Sequence, residues 1–257
     1  MKISNKTKLK LILPTIFAVY LLIGCSGSKD ESTSKERIFK EQEGVKVAFK
    51  AVLLSKTEFS DISKSRFSRI YYISQDYLRD EFVELGIVKL FYKDDSTIVR
   101  IYNHDKEYSV VNPYEDTFDR IDPFYTSIEY KDTGMVENVH GFKTEIYTSL
   151  MISDCSDPTF QKSELLYLSK DIDYYDTYYQ FVKADVISMN MDGELEEAIL
   201  DNIGFEIRAE YYWAQLIPFK CTVITFRDMV EYKKVRLTKS LFTIPAGYKK
   251  VPYDPNR

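Results

Sequence analysis

The sequence predicts a mainly β protein with minor α content, built as a curved antiparallel sheet or half-open barrel with one or two covering helices. Apolar and polar residues alternate at every second position in many segments after Val45, as expected for half-buried strands. The chain also holds 21 Tyr and 16 Phe, residue types that favour pleated sheets. Short polar turns, such as Lys93–Ser96 and Asn103–Lys106, separate neighbouring strand-like runs and suit antiparallel hairpins.

Two segments show the strand pattern most clearly. Val45–Leu53 and Gly141–Ser153 both place apolar side chains on one side and polar ones on the other. Further strand-like runs are Arg69–Glu81, Gly86–Tyr92, Thr97–Asn103, Glu107–Val111, Thr126–Tyr130, Glu164–Ser169, Phe205–Tyr212, Lys220–Phe226 and Met229–Leu237.

Two other segments do not show the alternation of apolar and polar residues. Gly193–Ile203 is predicted to be a helix because Leu195, Ile199 and Ile203 share one helical face and acidic residues occupy its first turn. Asp173–Ser188 has apolar residues near helical spacing, although its tyrosine content also suits a strand. A helix is the preferred interpretation of the second segment.

The N-terminus has the pattern of a bacterial lipoprotein signal. Four lysines without an acid precede the apolar run Leu11–Gly24, which is shorter than the roughly 20 residues that span a bilayer. The run ends in Leu-Ile-Gly-Cys and resembles the lipobox, in which Cys25 receives the lipid. We therefore expect residues 1–24 to be a signal peptide and Cys25 to be the acylated N-terminus of the mature chain.

Residues 25–44 are predicted to be a lipidated, flexible tether because the stretch after the cysteine is polar and mixed in charge. Residues 45–257 then form one β domain, since no linker divides them. The lipid would make the membrane a permanent partner, because each buried methylene contributes about 0.8 kcal/mol. Lys29-Asp30-Glu31 resembles a surface-export signal of Bacteroidota lipoproteins, but an ordinary charged linker explains it equally well. The expected location is the outer membrane, at its periplasmic face or the cell surface.

Three stretches of the domain resemble the outer-membrane lipoprotein-carrier superfamily of LolA and LolB type, and Bacteroidota lipoproteins with a LolA-like domain. The first is a pair of strands at Ile87–Val111, and the second is Val136–Ser149, with a Gly-Phe-Lys and a following tyrosine. The third combines Ile217–Phe226 with the Pro-Ala-Gly-Tyr-Lys turn of Leu241–Val251.

That resemblance implies a half-open barrel whose concave face offers an apolar cavity to a lipid, a lipoprotein acyl chain or another hydrophobic molecule. The helix containing Leu195, Ile199 and Ile203 would cover the cavity as a lid. In the alternative hypothesis the cavity is packed with side chains, and the protein is a structural or interaction lipoprotein of the cell envelope without a small-molecule ligand. Fold likeness alone does not decide between them.

Other functional classes find little support in the sequence. A formal charge of −5 does not suggest a nucleic-acid partner. His104 and His140 have no neighbouring Cys or second His at metal-binding spacing, and the acidic run around Asp173 lacks the glycine and terminal glutamate of a calcium loop. The sequence contains no phosphate-binding loop or nucleophile elbow. No cofactor, metal or enzymatic activity is therefore expected.

Lipidation of Cys25 leaves two further cysteines in an oxidising compartment. We expect a disulfide between Cys155 and Cys221, because such compartments favour these bonds in exported proteins. Two independent buried thiols are the alternative.

Overall fold

The computed structural model describes residues 39, 41–57, 61–114, 116, 127–152, 160–189, 197, 199–201, 203–215 and 221–254. Phe39–Tyr253 form one compact unit. Asp254 is the one described residue that lies outside this unit.

A single open, curved sheet dominates the described residues. Its strands are β1 (Gln42–Thr57), β2 (Ser63–Ser74), β3 (Tyr77–Phe82), β4 (Ile87–Tyr92), β5 (Thr97–Tyr102), β6 (Glu107–Val111), β7 (Ser127–Val139), β8 (Phe142–Ile152), β9 (Phe160–Ser169), β10 (Phe205–Gln215), β11 (Cys221–Leu237) and β12 (Lys249–Lys250). They follow the order β12-β6-β5-β4-β3-β2-β1-β11-β10-β9-β8-β7. The predicted fold class is confirmed.

The topology joins two antiparallel meanders, β1–β6 and β7–β11, through the long pairing of β1 with β11. Within the described strands only β12 runs parallel to its neighbour, β6. Both predicted turns, Lys93–Ser96 and Asn103–Lys106, close hairpins of the first meander. The turn between β3 and β4 uses Gly86 at φ 64°, where the His104 ring leaves no room for a Cβ atom.

The structure differs from the strand predictions at two places. The run Arg69–Glu81 is not one strand, because a tight turn separates β2 from β3. The Ser74 hydroxyl stabilises that turn because it accepts a hydrogen bond from the Tyr77 amide and donates one to the Tyr77 carbonyl. Conversely, the two predicted strands Lys220–Phe226 and Met229–Leu237 are the single strand β11, which absorbs an extra residue opposite Ala48 and Phe49 as a β-bulge.

The helix α1 (Tyr175–Ile187) confirms the preferred interpretation of the tyrosine-rich segment. Its buried residues Thr177, Phe181 and Ala184 recur at helical spacing and pack against β2, β3 and β5. We call this side of the sheet the helix face. Its core side chains include Val47, Phe49, Tyr71, Leu78, Phe91 and Ile98.

The other side of the sheet, the opposite face, is covered over the β2–β6 half by the chain that follows β11. A short 3-10 helix (Lys239–Phe242) starts this C-terminal cover, and Phe242 packs with Leu90 and Ile101. Tyr92 donates to the Phe242 carbonyl at 2.8 Å. Strands β4 and β5 are therefore buried on both faces, whereas the sequence predicted half-buried strands.

Candidate functional site: an apolar trough on the opposite face

The structure describes only some of the residues that the sequence predicted as site residues. Cys25, Cys155 and Leu195 lie outside the described residues. Ile199 is helical and half-buried, and Ile203 is buried beside a small cleft of about 110 Å³ lined mainly by polar residues. Among the described residues, the helix α1 packs on β2, β3 and β5, and the lid role of the segment around Ile199 stays a prediction.

Cys221 begins β11 as a buried, free thiol. Burial raises the pKa of this thiol above its ordinary value, so that it stays protonated at neutral pH. Since its proposed partner Cys155 is not described, the disulfide stays a prediction.

The helix face is occupied by the protein's own aromatic side chains where α1 crosses it. Tyr178 of α1 lies 4.7 Å, centroid to centroid, from Phe205, and both rings contact Tyr71. Phe181 packs against Phe91 at 5.8 Å. This half of the helix face therefore has the packed interior that the alternative hypothesis expected.

Charged groups are also buried on the helix face. Glu206 accepts hydrogen bonds from Arg227 and from the Tyr211 hydroxyl. Burial and the Glu206 carboxylate raise the pKa of the Tyr211 phenol well above its ordinary value. Asp185 of α1 accepts from Lys89 at 2.5 Å and from Arg100 at 3.1 Å. The two Asp185 pairs link α1 to β4 and β5, whereas the Glu206–Arg227 pair joins β10 to β11.

The opposite face is different in the β7–β11 half, where a trough crosses the strands. Its volume is about 630 Å³, within the range of roughly 300–1,000 Å³ that is common for ligand pockets. Its lining consists of Glu129, Lys131, Thr148, Ser149, Leu150, Ser163, Glu164, Leu165, Glu210, Tyr211, Tyr212, Ile224 and Phe226. We call this site the trough.

The pairing register explains why these side chains meet. Phe226 pairs with Glu210 and with Val52, while Ile224 pairs with Tyr212 and with Leu54. Directly paired residues share a face of the sheet, so the row of apolar side chains crosses from β10 through β11 to β1. Val52 and Leu54 alternate with the residues of β1 that point to the helix face.

Three large apolar side chains of the trough are exposed. Leu150 is 40% exposed, Tyr212 43% and Phe226 44%. The C-terminal cover packs over the same face in the β2–β6 half. Among the described residues, nothing covers Leu150, Tyr212 and Phe226 in the same way. Contiguous exposed apolar surface of this kind marks interaction or ligand sites.

The sequence analysis missed the trough, although β10 contained a signal for it. Tyr211, Tyr212 and Trp213 follow one another, so that strand has large aromatic side chains on both of its faces. A strand that is apolar on both faces predicts a partner on each side. The alternation elsewhere in the chain predicted only one apolar face for the sheet.

Within the described residues, no group of three His, Cys, Asp or Glu side chains is placed to hold a metal ion. His140 instead lies 2.9 Å from the Asp228 carboxylate, and Asp173 accepts from Tyr232. Among the helices that the structure describes, none has the length and apolar character needed to cross a membrane.

The fold and the trough define a mainly β protein built on one open, curved sheet, with an apolar trough on one of its faces. Residues 72–248 match the sequence profile of a family described as a domain of unknown function, DUF4412. Since this match covers more than half of the chain, the protein belongs to the DUF4412 family. No curated protein matches the sequence.

Several solved structures are similar in outline at low identity. PNGF-II shares 9% identity over 81% of this chain with a TM-score of 0.36, and this chain spans only 31% of its length. An uncharacterised conserved protein from Thermus thermophilus shares 9% identity, with 80% and 90% of the two chains covered and a TM-score of 0.35. A LolA superfamily protein from Nitrosomonas europaea shares 6% identity, with 77% and 90% covered and a TM-score of 0.27.

Proposed function

We propose that this protein is a lipid-anchored outer-membrane lipoprotein whose β domain holds an acyl chain or a similar apolar molecule in the trough. The observation that supports the proposal is that three exposed apolar side chains, Leu150, Tyr212 and Phe226, line one space of about 630 Å³. Transfer of apolar surface out of water contributes about 25 cal/mol per Å². An acyl chain that lies along these side chains would bury apolar surface, and this burial would stabilise the complex without a change in the sheet.

The composition of the trough suits an amphiphile better than a wholly apolar compound. Leu165 and Ile224 extend the apolar floor, whereas Glu129, Lys131 and Glu210 are charged lining residues. Sites of this type bind the apolar part by shape and orient the polar end by a few charged groups. The polar end of the ligand would therefore stay near water at the margin of the trough.

The N-terminal sequence supports the membrane part of the proposal. An acylated Cys25 would anchor the protein permanently, and residues 25–44 would tether the domain to the bilayer. A permanently anchored protein cannot diffuse between membranes. We therefore propose an anchored acceptor or chaperone for an apolar ligand, rather than a shuttle or an enzyme.

The alternative, a structural or interaction lipoprotein without a small-molecule ligand, is favoured by the packing of α1 on the helix face. The two functions place different molecules against Phe226. In the first the ring contacts an acyl chain, and in the second it contacts another protein.

A photoreactive palmitate analogue tests the proposal on the full-length protein in membrane vesicles. After irradiation, peptide mapping should find the label on β8, β10 or β11 segments that line the trough. Phe226→Asp should remove most of this label, because it puts a charge into the apolar row. Val136→Asp is the matched control, since Val136 is similarly exposed at 54% but lies outside the trough lining.

The control variant should be labelled like the wild-type protein. Labelling that is equal in all three proteins, or that maps to the helix face, would contradict ligand binding in the trough.

A further inference from the structure

A row of charged side chains crosses the helix face beneath α1. Asp80 of β3 pairs directly with Lys89 of β4, Lys89 with Arg100 of β5, and Arg100 with Ser109 of β6. Arg69 of β2 completes the row through two hydrogen bonds to Asp80, at 2.7 and 2.8 Å. Directly paired side chains on one face are neighbours, with Cβ atoms about 4.5–5.5 Å apart.

The charges in this row alternate but do not balance. Asp80 lies between Arg69 and Lys89, and Asp185 of α1 lies between Lys89 and Arg100. Three cationic side chains thus share two carboxylates, which leaves one formal positive charge in the row. The Glu206–Arg227 pair nearby is balanced by itself and does not compensate for it.

The unbalanced charge coincides with unsatisfied hydrogen-bonding groups at the Arg100 end. The Arg100 side chain is only 4% exposed. Its Nε has no hydrogen-bond partner among the described residues, and neither has the Oγ of the fully buried Ser109. A buried donor without a partner costs about 1–3 kcal/mol, and more when the group is charged. Two such groups on directly paired residues therefore indicate a missing partner.

The surroundings of Arg100 enclose this position. The Tyr253 ring stacks over the guanidinium at 4.7 Å, and its hydroxyl donates to the Ser188 carbonyl. Asp185 and Ser188 contact the Nη2 atom of Arg100. The Nε–H is thus left as a charged donor without a partner, on a residue that pairs directly with Ser109.

We propose that a small monovalent anion of about the size of chloride binds between the Nε of Arg100 and the Oγ of Ser109. Both groups donate hydrogen bonds to it, and its charge completes an alternating row of three cations and three anions. A water molecule would satisfy the same two donors but would leave the positive charge uncompensated. The site lies on the helix face, so it is independent of the trough and of the function proposed for it.

A neutral Lys89 is the competing way to balance the row. Burial lowers the pKa of the Lys89 ammonium, although the Asp185 carboxylate opposes this effect. If Lys89 loses its proton, the row is already neutral and no anion is needed. The two possibilities differ in their response to halide.

The experiment compares denaturant midpoints of the full-length protein in sodium chloride, sodium bromide and sodium gluconate at equal ionic strength and pH. The midpoint of the wild-type protein should rise with halide concentration and should not rise with gluconate, a much bulkier anion than chloride. Ser109→Ala removes one donor and should weaken halide binding by about tenfold or more.

Ser74→Ala is the matched control, because Ser74 is equally buried but its hydroxyl already has partners in the β2–β3 turn. It should lower stability while keeping the halide dependence. Crystals grown with bromide should show an anomalous peak within about 3.5 Å of Arg100 Nε and Ser109 Oγ. Equal midpoints in halide and gluconate, or a water without anomalous signal at that position, would overturn the proposal.

Discussion

Replacing Asp185 by Asn tests whether the buried ion pairs hold α1 on the sheet. Asp185 is the carboxylate that Lys89 and Arg100 share, at 2.5 and 3.1 Å. Removing one partner of a buried pair costs about 3–5 kcal/mol, because a charge is left uncompensated. Asp185 lies in the last turn of α1, where the helix dipole disfavours an acid by about 0.3–1 kcal/mol. We therefore expect the free energy of unfolding to fall by about 2–5 kcal/mol.

Asp176→Asn on the same helix is the matched control. Asp176 pairs with Lys93, but its side chain is 70% exposed, and exposed pairs contribute only about 0–1 kcal/mol. Asp176 lies in the first turn, where the helix dipole favours an acid, and this contributes a similarly small amount to stability. Chemical denaturation followed by Trp fluorescence measures both variants. If Asp185→Asn costs no more than Asp176→Asn, the ion pairs are not what holds the helix.

The pH dependence of the same two proteins gives an independent check. Burial would raise the pKa of Asp185, but the Lys89 and Arg100 cations outweigh it and hold the pKa below its ordinary value. A lowered pKa in the folded state means that the stabilisation is present above the unfolded value of about 3.9 and is lost as the pH falls through the folded value. The wild-type protein should therefore lose more stability than Asp185→Asn as the pH falls below about 4.

Three single-residue changes test other parts of the structure. Gly44→Ala should destabilise the domain by about 1–3 kcal/mol, since the new Cβ would lie 2.6 Å from the Ile73 carbonyl oxygen; an unchanged denaturation midpoint would contradict this contact. Phe181→Ala should cost about 3–5 kcal/mol, because the ring is buried against Phe91, and a loss below about 1 kcal/mol would show that α1 packs loosely. Cys25→Ser should give an unprocessed or soluble product in fractionated cells, and a variant that still matures and stays with membranes would disprove lipidation.

Alternation predicted the fold class because each strand of the two meanders has at least one buried face. Phe49 and Val47 on β1 are examples, as both point to the helix face and are buried. Periodicity could not predict the two-sided burial of β4 and β5. That burial depends on α1 and on the C-terminal cover, which come from distant parts of the chain.

The candidate site was harder to predict than the fold. The sequence around Phe226 shows only the alternation of apolar and polar residues. It does not show whether another segment packs over this part of the sheet and covers the ring. The buried row of Arg69, Lys89 and Arg100 was also missed, because single charges inside strands look like solvent-exposed positions. The register places Lys89 beside Arg100, where both side chains bind Asp185 of α1.

The central claim, that the trough holds an apolar ligand, is tested most directly by mass spectrometry of molecules extracted from the purified full-length protein. Organic solvent would release a non-covalent ligand and leave the lipid on Cys25 attached. The account predicts one amphiphile in near-equimolar amount from the wild-type protein and from Val136→Asp, and its loss from Phe226→Asp. No extracted amphiphile from the wild-type protein, or equal amounts from all three, would contradict it.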